Sequence, residues 1–265
     1  NGDRHAAGGV VRPQRRDRIV PDQHGAWAFL VLPIVLALVR ADWSWLLVPA
    51  AVAWVAAYPF SWALTGRLTA RRPERFDRAL WVWLPVLLVP GIPVLLARPW
   101  LMWVVLVYGA LWVVNLRYAS RRRERSLVND VLLVVECCLL IPVLVGIAEP
   151  SNGWRPPLDV FDGQMVLLMV ACFATLTGSV LHVKSLIRER NDARYARAAR
   201  EFAVVAAVVV GLVALGLGRP AWAALAFLVF ATRCWWVPRT WRPARVGLVE
   251  MAGFVLVAVS LAFAS

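Results

Sequence analysis

Nine apolar stretches, each about the length that carries a helix across a ~30 Å hydrocarbon core, divide this sequence between residues 22 and 264. They run over 22–39, 43–65, 79–97, 100–117, 127–148, 163–183, 201–218, 220–237 and 246–264. Inside a bilayer no water satisfies the backbone amides, so apolar runs of this length are helices. The fold class expected is all-α: a polytopic transmembrane bundle of nine spans. Residues 1–20 read as a basic cytoplasmic tail, and 21–265 as a single transmembrane domain. The first run is expected to remain as a span, since no A-x-A cleavage pattern follows it. Pro21 suits a first helical turn and would lengthen that span. Pro33, Pro49, Pro85 and Pro142 are expected to kink their helices.

Composition matters where charge is weighed. The chain is 61% hydrophobic, well above the 45–50% of soluble domains, with a mean hydropathy of +0.66. A net charge of +13 would suggest nucleic acid in a soluble protein. Here the cations lie between apolar runs, so they read as topology signals and as partners of anionic lipid heads. Fifteen tryptophans fit, because indole favours the bilayer interface. Of 29 lysines and arginines, 25 fall in the tail and in alternate loops, the last four being Arg233, Arg239, Arg242 and Arg245. Only Arg40, Arg98, Arg155 and Arg219 lie on the other side. The positive-inside rule then puts the N-terminus in the cytoplasm and the C-terminus outside. Bacterial plasma membrane is the expected location, with no nucleic-acid partner.

Cys137, Cys138, Cys172 and Cys234 show no metal or disulfide spacing and read as small buried hydrophobes. With three histidines, no His-rich metal site is expected. The metal-ligand expectation is therefore none.

Polar residues inside spans carry more information, since each costs about 2.5–3.5 kcal/mol at the centre on insertion scales. They gather at the basic ends. His24 opens span one; Tyr58, Ser61 and Thr65 share a face of span two, followed by Arg67. Asn115 ends span four. Asn129 and Asp130 begin span five, with Glu136 one face-length on, and Glu250 lies one turn into span nine. Ser179, His182, Ser185, Glu189 and Asp192 form a stripe at helical spacing, while Lys184, Arg188 and Arg190 add cations. A cavity open to the cytosol and lined by spans one, two, four, five, six and nine is expected. Several of these residues keep two readings. His24 and Trp27 in HGAW serve as an interfacial anchor or as a ligand contact. Asp130 and Glu250 pair locally with Arg125 and Arg245 or meet a ligand. Arg121, Arg122 and Arg123 read as topology determinants.

PDQHGAWAFLVLP, together with the RERND segment after span six, resembles the YwiC-like family of bacterial integral membrane proteins, a resemblance covering most of the chain from Pro21 onward. It implies a membrane protein and no particular activity. More distantly, the layout is similar to the UbiA-type intramembrane prenyltransferases. That superfamily implies nine helices, a cytoplasmic N-terminus and charged loops after spans two and six. NLRYASRRRERSLVNDVLLVVECCLLIPVLVG resembles its span-four to span-five connection.

Active UbiA-type members carry N-D-x-x-D and D-x-x-D-x-x-x-D motifs that hold magnesium on a prenyl diphosphate, because hard cations need several converging carboxylates. Here YPFSWALTGRLTARRPERFD has no aspartate before Asp77. KSLIRERND places Ser185 and Arg188 at the first two acidic positions and keeps Asp192. The resemblance therefore implies prenyltransferase-like architecture without the usual magnesium-diphosphate catalysis. Magnesium enters as a cofactor only if catalysis survives. An anionic amphipathic ligand, an isoprenoid or another lipid, would meet Lys184, Arg188, Arg190 and Arg67 directly. The alternatives are a small-molecule transporter with Glu136 and His182 in a relay, an assembly partner in the membrane, and an active prenyltransferase.

Overall fold

The computed structural model describes residues 19–21, 25–121, 126–150, 153–220 and 222–264. Among these are nine α-helices: α1 (Ala26–Arg40), α2 (Leu47–Thr69), α3 (Asp77–Ala97), α4 (Leu101–Ser120), α5 (Leu127–Ala148), α6 (Gly163–Val183), α7 (Ala193–Gly216), α8 (Trp222–Trp236) and α9 (Pro243–Ala264). Short 3₁₀ turns at Pro73–Phe76 and Leu158–Val160, and a π turn at Lys184–Arg188, join them. Seven helices are long and apolar enough to cross a membrane; α1 and α8 are shorter. At 15 residues α1 spans only about 22 Å. The extension expected from Pro21 falls on residues 22–24, outside the described residues, as does His24.

Which helices form the interior follows from which have an apolar stripe on more than one side. In α5, Val134, Cys137, Ile141 and Val145 are fully buried, and in α6 so are Met165, Ala171, Cys172 and Leu176. These pack with Leu36 of α1 and Val257 of α9 in one core. By contrast α3 and α4 lie at the periphery: 67% of the sixth span is buried and only 6% of the fourth. Trp81, Val89 and Leu96 of α3 and Trp103 of α4 face outward, as residues do whose solvent is lipid. On α7 the buried face is Ala199, Ala203, Ala207, Gly211 and Ala214, a row of small residues that lets neighbouring helices come close. Gly211 meets Ala224 of α8 across that seam.

Pro33, Pro85 and Pro142 lie inside helices, and so do Pro59, Pro90 and Pro93. Pro49 instead falls in the first turn of α2, where an amide has no intrahelical partner to lose. Among the described residues, side chains cap three helices: Ser126 accepts from the Asn129 amide at 3.3 Å, Asp162 from Met165 at 2.8 Å, and Asp192 from Arg194 at 2.9 Å.

Candidate functional site

The most polar place in the interior lies where α6, α8 and α9 meet. α9 buries Val246, Glu250, Gly253, Phe254 and Val257, a face at helical spacing that puts a carboxylate in the apolar seam. Gly253 leaves room for the Phe230 ring of α8. Arg233, one turn along, has its guanidinium carbon 3.4 Å from the centre of that ring. Its Nη1 donates to the Phe230 carbonyl at 2.7 Å and its Nε to Glu250 Oε1 at 2.8 Å. His182 of α6 reaches the same oxygen through Nδ1, at 2.7 Å. The three side chains are only 3–6% exposed. Unpaired charges would be prohibitive there, and mutual pairing is the way such groups persist in a bundle interior.

His182, alone of the three, borders a polar cavity of about 220 Å³ at the basic end of the bundle. His182, Ser185, Arg200, Cys234 and Arg239 contribute to its lining, and no lining residue is acidic. With Nδ1 turned to Glu250, the His182 nitrogen left is Nε2, which has no hydrogen-bond partner among the described residues. Ser185 commits its hydroxyl proton to the His182 carbonyl at 2.7 Å, leaving oxygen lone pairs. Arg200 and Arg239 are exposed at the rim, and Arg239 is steadied by the Arg190 carbonyl at 3.3 Å.

The π turn explains why the expected stripe stops short. The Glu189 amide reaches back to the Lys184 carbonyl at 2.7 Å, an i→i+5 bond that shifts the register and ends the helix. Ser179, His182 and Ser185 are buried inside the bundle; Arg188, Glu189 and Arg190 are exposed, and Asp192 caps α7. The cationic row also divides. Lys184 is buried and paired with Asp130 of α5 at 2.6 Å, while Arg67 pairs with Asp77 at 2.7 Å. Asp130 and Glu250 thus pair across helices, Glu250 with His182 and Arg233; Arg125 lies outside the described residues.

The remaining candidates lie in other seams. Asn115 Nδ2 donates to Glu136 Oε1 at 3.3 Å between α4 and α5, and the Tyr108 hydroxyl donates to the Glu136 carbonyl at 2.7 Å. Tyr58 packs edge-on against Trp27, their ring centres 5.8 Å apart. The Trp112 indole donates to Thr65 at 3.3 Å. Asn129 sits in the first turn of α5. Glu136 and His182 therefore do not share one seam, and the polar cavity is lined by α6, the π turn, α7, α8 and the segment after α8; of the spans expected around it only the sixth takes part, and α1, α2, α4, α5 and α9 do not. Arg200, Arg233, Cys234 and Arg239 are the residues that sequence reasoning passed over. One signal was present for Arg233: a lone arginine within the apolar run LVFATRCWW, counted with the loop that follows it.

Residues 20–145 match the model of the YwiC-like protein family. The chain is 26% identical to the uncharacterised protein YwiC of Bacillus subtilis, over 88% of its own length and 92% of that relative. It is 23% identical to an uncharacterised protein of Haemophilus influenzae, over 88% and 93% of the two lengths. The chain is thus similar to the YwiC-like family over residues 20–145 and to the two relatives over most of its length. The family match ends within α5, so the His182–Glu250–Arg233 trio lies beyond it. No solved structure matches.

Proposed function

We propose that this protein is a membrane protein that binds an anionic amphipathic ligand at its basic, cytosol-facing end. The observation that carries the reading is the cavity beside His182: none of its lining residues is acidic, and two exposed arginines stand at its rim. Cations at a low-dielectric mouth attract an anion more strongly than the same cations in water. The ligand's head meets Arg200 and Arg239 rather than Lys184, whose charge is matched by Asp130. Its apolar part stays with the lipid-facing helix surfaces. The reading takes the resemblance to a prenyltransferase-like layout as its frame, with direct cationic contact in place of a metal bridge. The carboxylates near the two loops have other work, Asp77 on Arg67 and Asp192 as an N-cap.

The experiment is lipid analysis by mass spectrometry after purification in mild detergent. The wild-type protein should be enriched in an anionic amphiphile relative to the source membrane, and Arg200→Ala with Arg239→Ala should lose at least tenfold of it. Equal content in the two proteins overturns the proposal.

A further inference from the structure

We propose that a groove between α4 and α5, at the arginine-poor end of the bundle, holds an acyl chain of a membrane phospholipid. The groove is built from helical spacing. Trp100, Trp103, Val104, Val107 and Tyr108 recur at intervals that put them on one face of α4 and of the residue that opens it. Leu139, Pro142 and Val143 do the same on α5. Between the two faces lies a cavity of about 200 Å³, roofed by Pro157, Leu158 and Phe161 from the segment before α6.

Hydrogen bonds pin the two helices at two levels, with the groove between them. Near the helix ends, Arg98 donates to the Ile147 and Glu149 carbonyls, and the Trp100 amide donates to the Gly153 carbonyl at 3.1 Å. Deeper in the bundle, the Tyr108 hydroxyl and the Asn115 amide both reach Glu136. The roof is fixed as well. Trp103 Nε1 donates to the Trp154 carbonyl at 3.2 Å. Gly146 of α5 lets the roof come close, since a Cβ there would lie 2.8 Å from the Pro157 ring and 3.3 Å from the Trp100 indole.

The lining selects the occupant. Its polar side-chain atoms belong to Trp100, Trp103 and Tyr108. Trp103 and Tyr108 have spent theirs on the Trp154 and Glu136 carbonyls, and the Trp100 indole nitrogen is itself buried. Water needs about 2–4 polar partners to settle in a cavity, and these side chains offer it none. A protein helix is too wide, measuring about 10–12 Å across with its side chains. Hydrocarbon fits, and it restores the dispersion contacts that an unfilled apolar wall forfeits. Trp103 and Val107 are half exposed, so the groove opens through the side of the bundle, where two spanning helices have lipid as their solvent. The roof sets its level: Trp154, Leu158 and Phe161 are exposed there, as aromatic and apolar side chains are that sit among lipid head groups. From Trp100 to Tyr108 the groove face descends about 12 Å, at ~1.5 Å per residue, which is the direction an acyl chain takes from its head. The site stands at the opposite end of the bundle from Arg200 and Arg239 and does not depend on the anion-binding reading.

The test uses the full-length protein in proteoliposomes doped with a phosphatidylcholine that carries a photoreactive diazirine midway along one acyl chain. After illumination, adducts are mapped by peptide mass spectrometry on the groove faces of α4 and α5, and on α3, whose exposed Val89 and Leu96 report ordinary lipid contact. Groove adducts should exceed α3 adducts about fivefold or more. Val104→Trp, which puts an indole in the groove, should remove that excess and leave α3 labelling unchanged. Equal labelling of groove and α3 in the wild type overturns the inference, and so does an excess that survives Val104→Trp. Adducts on α3 with none in the groove, the outcome if another protein chain covers it, overturn it as well. Should Val104→Trp fail to fold, Val107→Trp at the half-exposed mouth takes its place, with the same loss expected and the wild-type ratio read alongside it.

Discussion

At the arginine-poor end of the bundle, three of the four guanidinium groups are tied to helix ends and Arg155 is exposed; at the arginine-rich end most stand in the open. Arg40 reaches Asp162 at 3.0 Å, clasping the end of α1 to the start of α6. Arg98 donates to the Ile147 and Glu149 carbonyls at 3.1 and 2.9 Å, closing the last turn of α5, and Arg219 donates to the Ala264 carbonyl at 3.1 Å. Arg98 and Arg219 satisfy carbonyls at or just past a helix C-terminus, and Arg40 holds the side chain that caps α6. Opposite them, Arg71, Arg72, Arg188, Arg194, Arg197 and Arg242 are exposed. Between these extremes, inside the basic end, lies Arg233, buried and paired with Glu250 and the Phe230 carbonyl through Nε and Nη1. Arginine therefore does three jobs here: helix closure, interior charge pairing and surface charge. Position in the fold, rather than residue type, separates them.

The sharpest way to break that division is at the interior pair. Glu250→Gln leaves Arg233 buried against a neutral amide and should cost about 3–5 kcal/mol. Thermal unfolding in detergent should show a large drop in midpoint, partly recovered by adding Arg233→Met. A loss below about 1 kcal/mol would mean that the trio is solvated rather than buried. Helix closure comes next. Arg98→Ala should cost about 1–2 kcal/mol through the carbonyls it abandons, whereas Arg188→Ala should stay within about 0.5 kcal/mol. Equal effects at the two positions would erase the contrast between the ends.

The smallest effect expected is a dependence on pH at the α1–α6 clasp. The Met165 amide is the largest influence on the Asp162 carboxyl and lowers its pKa; burial opposes it, and Arg40 adds to the lowering. A carboxyl whose folded value lies below its unfolded value of about 3.9 contributes stability that is fully present above the unfolded value. That contribution is lost as pH falls through the folded value. The difference in unfolding midpoint between wild type and Asp162→Asn should thus hold constant from pH 7 to about 5 and close below about 4. Because Asp162 is well exposed, the difference should be small, and a gap that widens on acidification would count against the clasp.

Much of the fold was legible because transmembrane helices are announced by length and composition alone. All nine apolar runs became helices, their limits differing mainly where polar residues extend a helix beyond the membrane, as at the start of α7. The candidate site was legible only in part. His182 and Ser185 were visible as polar residues in an apolar run, and they line the cavity. Glu189 and Asp192 were separated from them by a π turn that helical periodicity does not reveal. Lys184 read as a free cation because its partner, Asp130, lies 54 positions earlier in the sequence.

By itself the sequence determined a helical membrane bundle and the uneven division of charge between its ends. A hydrocarbon solvent demands runs of apolar side chains and internally bonded backbone, and both are local properties. Only the tertiary structure decided which charges meet. Pairing depends on how α5, α6, α8 and α9 are rotated and brought together, and that rotation places His182, Arg233 and Glu250 on one oxygen while leaving Arg200 and Arg239 at the mouth. Electrostatic interaction in a low-dielectric interior depends on ångströms between side chains, a quantity that spacing along the chain does not contain.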